Sequence, residues 1–125
     1  MRLLLDTHVL LWWLQDAPGL TGAAREAIAR RDALVHVSAA SVWEAAIKTS
    51  LGKLRVEGDL TETIPATGFL ELPISARHAW LAGTLPRLHD DPFDRILVAQ
   101  AKLEELTLVT HDPALRDYGI SILAV

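Results

Sequence analysis

The segment RLLLDTHVLLWWL, residues 2–14, places one aspartate between two apolar runs. The first run, Arg2 to Leu5, predicts a short buried strand. The second run predicts a helix over Thr7 to Gln15, which ends at the turn-forming residues 16–19. Asp6 lies at the junction, where a carboxylate can act as an N-cap because it accepts backbone N–H bonds. A metal ligand is the alternative role, and the rest of the chain decides between them.

The remaining sequence continues this alternation of short apolar strands and helices. Further strands are predicted over Leu34–Val37, Phe69–Leu72, Thr107–Thr110 and Ile120–Leu123. Helical segments are predicted over Leu20–Arg31, Ser41–Leu51, Leu60–Ile64, Ala76–Thr84, Pro92–Leu106 and Pro113–Tyr118. Short apolar strands that alternate with helices are typical of a parallel sheet covered on both faces. The predicted fold class is therefore α/β, a three-layer α/β/α architecture with a central parallel sheet, in one domain over residues 1–125.

The composition narrows the classes of function. Half of the 125 residues are hydrophobic, which fits a compact globular core. The chain has no cysteine, so disulfides, cysteine-based zinc sites and thiol catalysis are excluded. The apolar run Val9–Leu14 is too short to span a bilayer, so we expect a soluble, cytoplasmic protein with no membrane association. A net charge of −4 gives no overall attraction to nucleic acid, which would need a local basic patch, a metal or a basic partner.

Four acidic residues are predicted to converge at one edge of the sheet. Asp6 follows the first strand, and Asp112 follows the strand Thr107–Thr110. Glu44 is expected in the first turn of the helix after the second strand. Asp94 begins a helix that runs antiparallel to the strand it feeds, so that helix also starts at the carboxyl edge. Because open parallel sheets form their sites beyond this edge, the four acids are candidate catalytic and metal-binding residues.

Each of these acids also has a purely structural interpretation. Asp6 and Asp112 precede helical segments as N-caps would. The stretch Ser41–Glu44 fits the S-x-x-E capping box, and Asp91–Asp94 fits a cap followed by proline. The two interpretations are compatible, because a helix N-terminus favours the ionised carboxylate that a metal needs.

A cation would explain why the acids converge. Carboxylates brought together repel one another unless a cation lies among them. Oxygen ligands without cysteine or paired histidine indicate Mg²⁺ or Mn²⁺. Because such an ion activates water and stabilises charge on phosphoryl oxygens, phosphodiester hydrolysis is the predicted reaction class.

Several segments, in this order, resemble the PIN-domain ribonucleases and, within them, the VapC-like toxins of bacterial type II toxin–antitoxin pairs. They are LLLDTHVLLWWL (3–14), SVWEAAIK (41–48) with SLGKL (50–54), LPIS (72–75), LHDDPFDRILVAQA (88–101) and TLVTHD (107–112). The resemblance covers nearly the whole chain, and DPFDRILVAQA is its most specific part. It implies a Mg²⁺- or Mn²⁺-dependent endoribonuclease whose four acids map to Asp6, Glu44, Asp94 and Asp112.

The resemblance also carries implications for neighbouring residues and for partners. The third acid maps to Asp94 rather than Asp91, and Thr7 and Thr110 match hydroxyl positions that flank the family's site. The implied partners are an RNA substrate, a VapB-like antitoxin and a second copy of the chain in a homodimer. Two other classes of protein share parts of this pattern: a non-catalytic PIN-like interaction module and a phosphoacceptor receiver domain. A receiver domain needs an acid pair after the first strand and a lysine after a late strand, and this sequence has neither at those positions.

The histidines and basic residues near this edge have open roles. His8, His89 and His111 are candidates to orient a phosphate or move a proton, or to make ordinary loop contacts. A further group of basic residues either neutralises RNA phosphates or forms ordinary surface charge. These residues are Lys48, Lys53, Arg55, Arg87 and Arg95.

Overall fold

The computed structural model describes all 125 residues and contains five strands, six α-helices and one 3₁₀ helix. The strands are β1 (Arg2–Leu5), β2 (Leu34–Ser38), β3 (Leu70–Leu72), β4 (Thr107–Thr110) and β5 (Ile122–Ala124). The α-helices are α1 (Thr7–Leu14), α2 (Gly22–Ala29), α3 (Ala39–Ser50), α4 (Leu60–Ala66), α5 (Ala76–Thr84) and α6 (Pro92–Glu104). The 3₁₀ helix spans Pro113–Tyr118. None of the helices combines the length and hydropathy needed to cross a membrane.

The five strands form one sheet in the order β3-β2-β1-β4-β5, and every neighbouring pair is parallel. At the centre, Leu5 pairs with Val37 on one side and with Val109 on the other. The chain leaves β1 toward β2 and leaves β4 toward β5, in opposite directions. In open parallel sheets, the crevice at such a reversal is where ligands bind. The topology therefore places the ends of β1 and β4 at the position expected for a site.

Alternating side chains of β1 divide the core into two clusters. Leu3 and Leu5 pack on the face covered by α1, α2 and α4, together with Val9 and Ile28. Leu4 packs on the opposite face, in the cluster that α6 and the 3₁₀ helix contribute to. All three leucines have no exposed surface, since successive strand residues point to opposite faces and both faces are covered. The predicted three-layer α/β/α class with a central parallel sheet is confirmed.

Helix α3 begins earlier than predicted. It starts at Ala39, and Ser38 is its N-cap, with the Ser38 hydroxyl accepting the Ala40 N–H at 3.0 Å. The predicted capping box of Ser41 and Glu44 is therefore wrong. The strand passes straight into the helix at Ser38, so Ser41 is already inside the first turn and Glu44 lies in the second.

Several other element boundaries differ from the predictions by one or two residues. The second helix is shorter at both ends, with Thr21 at its N-cap position and Arg30 at its C-cap position. The last strand starts at Ile122 rather than Ile120, because Gly119 ends the 3₁₀ helix in a left-handed conformation with φ of 78°. Ile120 is still buried, in the same core cluster as Leu4.

Candidate metal-binding site at the carboxyl edge of the sheet

The structure brings all four predicted acids to the carboxyl edge of the sheet. Asp6 follows β1 and caps α1, and Asp112 follows β4 and caps the 3₁₀ helix. Asp94 lies in the first turn of α6, and Glu44 projects from the second turn of α3. Acids separated by more than a hundred residues in sequence thus share one edge because four helical segments, α1, α3, α6 and the 3₁₀ helix, begin there.

Asp6 is held rigidly by four hydrogen-bonding contacts and is 2% exposed. Its Oδ1 accepts the Val9 N–H at 2.8 Å, which confirms the predicted helix cap. Its Oδ2 accepts the Thr110 hydroxyl at 2.6 Å and the His111 N–H at 3.2 Å, and it also lies 3.1 Å from His111 Nδ1. The Thr110 hydroxyl in turn accepts the Asp112 N–H at 3.1 Å. One buried hydroxyl therefore connects the acid after β1 with the acid after β4.

Glu44 is held by α1 and by its own helix. Its Oε1 accepts the Thr7 hydroxyl at 2.6 Å, and its Oε2 forms an ion pair with Lys48 Nζ at 3.0 Å. The Thr7 hydroxyl also lies 3.1 Å from the Ser41 hydroxyl. Ser41 is therefore not a helix cap, and its side chain contacts the site through Thr7. Both threonines that flank the acids therefore orient carboxylates, Thr7 on one side and Thr110 on the other.

His89, Asp94 and Asp112 form the part of the site that is close enough to hold one ion. Their ligand atoms all lie within 4.8 Å of one another. His89 Nε2 is 3.0 Å from Asp112 Oδ2 and 3.4 Å from Asp94 Oδ2. Asp94 accepts no hydrogen bond from the rest of the chain, whereas both oxygens of each other acid have a protein partner. Its carboxylate is therefore the one most available to a ligand.

The pKa of Asp94 reports the crowding of charge at this edge. The pKa is raised from 3.8 to about 6, chiefly by burial and next by the charge of Asp91. His89 opposes the rise, while Asp6 and Glu44 add to it. Asp6 and Glu44 lie outside the three-residue group, yet their charges act on Asp94. A cation among these carboxylates would remove the repulsion that raises this pKa.

The structure assigns definite contacts to the histidines whose roles the sequence left open. His89 contacts two of the four acids, and the sequence offered only its place beside Asp90 and Asp91 as a signal. His8 and His111 pack together with ring centroids 4.3 Å apart. Burial lowers the pKa of His8, and the neighbouring His111 lowers it further. His8 is therefore mainly neutral at pH 7.

Arg95, a candidate for phosphate binding, has a structural role instead. Its guanidinium donates to the carbonyls of Leu85, Pro86 and His89 at 2.9 to 3.2 Å. The Tyr118 hydroxyl also donates to the Pro86 carbonyl, at 3.0 Å. These bonds hold the loop between α5 and α6, which carries His89, against the rest of the site.

Comparison with known proteins gives concordant results. A family model described as the PIN domain matches residues 3–120. Ribonuclease VapC22 of Mycobacterium tuberculosis is 32% identical over 122 residues, which cover 92% of this chain and 90% of that protein.

Solved structures share the fold at lower identity. The crystal structure of VapBC2 from Rickettsia felis, bound to a DNA fragment from their promoter, matches with a TM-score of 0.76 and 18% identity over 99% of this chain and 98% of that one. The structure of VapBC-1 from nontypeable Haemophilus influenzae matches with a TM-score of 0.69 and 17% identity, over 99% and 98% of the two chains. FitAcB from Neisseria gonorrhoeae matches with a TM-score of 0.66 and 21% identity, over 97% and 96%.

Proposed function

The chain belongs to the PIN domain family, and from this premise we propose that it is an endoribonuclease that hydrolyses phosphodiester bonds of RNA at the acidic edge of its sheet. The observation that carries the proposal is the partly buried carboxylate of Asp94, which accepts no hydrogen bond and lies close enough to Asp112 and His89 for the three to bind one ion. Nuclease activity also agrees with the likeness to a protein named as a ribonuclease.

We further propose that Asp6, Glu44, Asp94 and Asp112 hold a Mg²⁺ or Mn²⁺ ion. The donor set fits such an ion, because hard divalent cations take carboxylate oxygens and often keep several waters. Bound there, the ion would lower the pKa of a water and stabilise negative charge on the phosphoryl oxygens.

The chain's own residues position this chemistry. Thr110 and the Val9 N–H fix the two oxygens of Asp6, and Thr7 fixes one oxygen of Glu44. Pre-oriented ligands lose little conformational freedom when a cation binds, which favours binding. His89 lies between Asp94 and Asp112 and keeps both carboxylates close before a cation binds. Hydrolysis then adds a water oxygen to phosphorus and breaks one backbone P–O bond, whose oxygen takes up a proton.

We propose that this ribonuclease is the toxin of a type II toxin–antitoxin pair, with a VapB-like antitoxin and a second copy of the chain as its partners. The relatives of the same fold that support this are solved as VapBC and FitAcB assemblies. An antitoxin that covers the carboxyl edge would block RNA while leaving the fold intact.

The purified protein should cleave single-stranded RNA when Mg²⁺ or Mn²⁺ is present and stop when EDTA is added. A gel assay with an end-labelled oligonucleotide measures this, and Asp94→Asn protein purified in parallel controls for contaminating ribonuclease. Expression in a bacterial host should arrest growth, and the same substitution should relieve the arrest. Cleavage that persists in EDTA, or that Asp94→Asn retains, would refute the proposed site.

Metal affinity should fall as the pH falls through about 6. Below this pKa, Asp94 carries a proton that must leave before its oxygens can bind a cation. One competing proton predicts roughly a tenfold loss of apparent Mn²⁺ affinity per pH unit below about 6. Titration calorimetry between about pH 5 and pH 8 measures the Mn²⁺ affinity, which should be independent of pH above the pKa of Asp94. An affinity that stays constant over the whole range would show that Asp94 is not a ligand.

A further inference from the structure

A cationic pocket adjoins the acidic site, between α1 and the end of α3. It has a volume of about 310 Å³ and is lined in part by Thr7, His8, Trp12, Lys48 and Lys53. This volume lies at the lower end of the range of about 300–1,000 Å³ typical of small-ligand pockets. Two ammonium groups and no carboxylate line it, although the chain as a whole carries a net charge of −4. The local charge is therefore opposite to the overall charge.

Local structure brings the two lysines to the same pocket. After α3 ends, Gly52 adopts a left-handed conformation with φ of 72°, which turns the chain back. The Lys53 N–H then donates to the Lys48 carbonyl at 2.9 Å. A left-handed residue after a helix costs little at glycine, so this turn is stable. It presents Lys53 beside the last turn of the helix instead of beyond it.

The pocket is continuous with the acidic site. Thr7 lines the pocket and donates its hydroxyl to Glu44. Lys48 lines the pocket too, and its ammonium is paired with Glu44 at 3.0 Å. Lys53 forms no ion pair and is exposed, so its charge is free for a ligand. An anion that enters here therefore lies next to the carboxylates.

Resting on the proposed function, we propose that this pocket binds a nucleotide that adjoins the cleaved bond of the RNA strand, with Lys53 and Lys48 holding its phosphate. A chain laid across the carboxyl edge carries a phosphate at each nucleotide, and the edge itself repels phosphates on either side of the metal. The two lysines supply the attraction that the acidic edge lacks. Trp12, which also meets the rings of His8 and His111, supplies an aromatic wall for the base.

The test uses Asp94→Asn protein, which should bind RNA without cutting it, and a fluorescein-labelled single-stranded RNA ten-mer in Mg²⁺. Lys53→Ala is compared with Lys102→Ala by fluorescence anisotropy over a range of salt concentrations. Lys102 is the matched control, because it is an exposed lysine in the last turn of α6, at the opposite edge of the sheet.

Lys53→Ala should weaken RNA binding roughly threefold to tenfold at low salt and reduce the slope of log K against log salt by about 0.7. Lys102→Ala should change neither quantity. RNA should also quench tryptophan fluorescence, and Trp12→Phe should remove much of that quenching. In protein with Asp94 intact, Lys53→Ala should raise KM for the same oligonucleotide more than it lowers kcat.

Three results would overturn the proposal. If Lys53→Ala and Lys102→Ala behave alike while wild-type protein cuts RNA, the pocket is not a nucleotide subsite and the proposed function stands. If wild-type protein neither binds nor cuts RNA, the proposed function and the subsite fail together. If a poly-glutamate peptide of equal charge binds as tightly, depends equally on Lys53 and quenches tryptophan equally, the pocket recognises acidic peptides instead of nucleotides.

Discussion

Asp94→Asn protein should lose metal-dependent RNA cleavage and yet be more stable than wild type in the absence of metal. Loss of a metal ligand and of its charge should lower the cleavage rate by roughly a hundredfold or more. The amide keeps the shape of the side chain, so the start of α6 should remain folded. Single-turnover cleavage assays and denaturant unfolding in EDTA measure the two effects on the same preparation.

The gain in stability follows from the raised pKa of Asp94. The folded-state pKa of about 6 exceeds the ordinary value of 3.8, so folding favours the protonated form. The corresponding contribution to stability is fully present below the unfolded pKa and is lost as the pH rises through about 6. The shift is worth roughly 3 kcal/mol unscreened, and solvent at a side chain that is 24% exposed reduces this to about 1–2 kcal/mol.

The pH dependence separates this effect from a general change in packing. Wild-type and Asp94→Asn proteins should differ most above pH 7 and converge toward pH 4. Asp90→Asn is the matched control, because Asp90 is an exposed neighbour with no bonded partner in the structure. If Asp94→Asn instead lowers the stability of the protein, and its folded fraction cuts RNA at the wild-type rate, then Asp94 has only a structural role.

Thr110→Val should weaken metal binding by about 10- to 100-fold and destabilise the protein by roughly 1–3 kcal/mol. The Thr110 hydroxyl is fully buried and bonds to both Asp6 and the Asp112 N–H. Valine has a similar shape, so the change removes the two hydrogen bonds without leaving a cavity. Asp6 then loses one of its donors, and the Asp112 N–H is left without a partner.

Thr107→Val is the matched control for this prediction, because Thr107 lies on the same strand and its hydroxyl bonds only to the exposed Ser121 hydroxyl. It should leave Mn²⁺ affinity unchanged, as measured by titration calorimetry, and lower the stability by less than about 1 kcal/mol. Equal effects of the two substitutions on Mn²⁺ affinity would contradict a positioning role for Thr110.

Hydrophobic periodicity and capping residues predict most of the helices and strands, because these local preferences agree with the final fold. The strand Thr107–Thr110, the helix Ala76–Thr84 and the turn Pro113–Tyr118 match the structure at both ends. Proline after a capping aspartate marks where the last of these begins. The sequence pattern places the start of α3 too late, because Ser38 and Ser41 are both suitable caps. Only the point at which β2 leaves the sheet decides between them.

The contacts within the site depend on residues that local patterns cannot connect. The Thr110 hydroxyl bonds to Asp6 across 104 positions of sequence, and His89 bonds to Asp112 across 23. Arg95 illustrates the same limit, because its charge beside Asp94 fits either phosphate binding or ordinary surface charge, while its carbonyl partners show that it holds a loop. Hydrogen-bonding partners of this kind are decided by three-dimensional proximity.

The sequence by itself determined the three-layer fold and the edge at which the acids meet. Periodicity and capping specify strands and helices locally, and parallel connections then carry every strand end to one side. Only the tertiary structure decided which acids are close enough to bind one ion and which carboxylate accepts no hydrogen bond. It also decided that two lysines line a pocket beside the acids. These features depend on distances of a few ångströms between elements, and distances of that size follow from packing rather than from local preference.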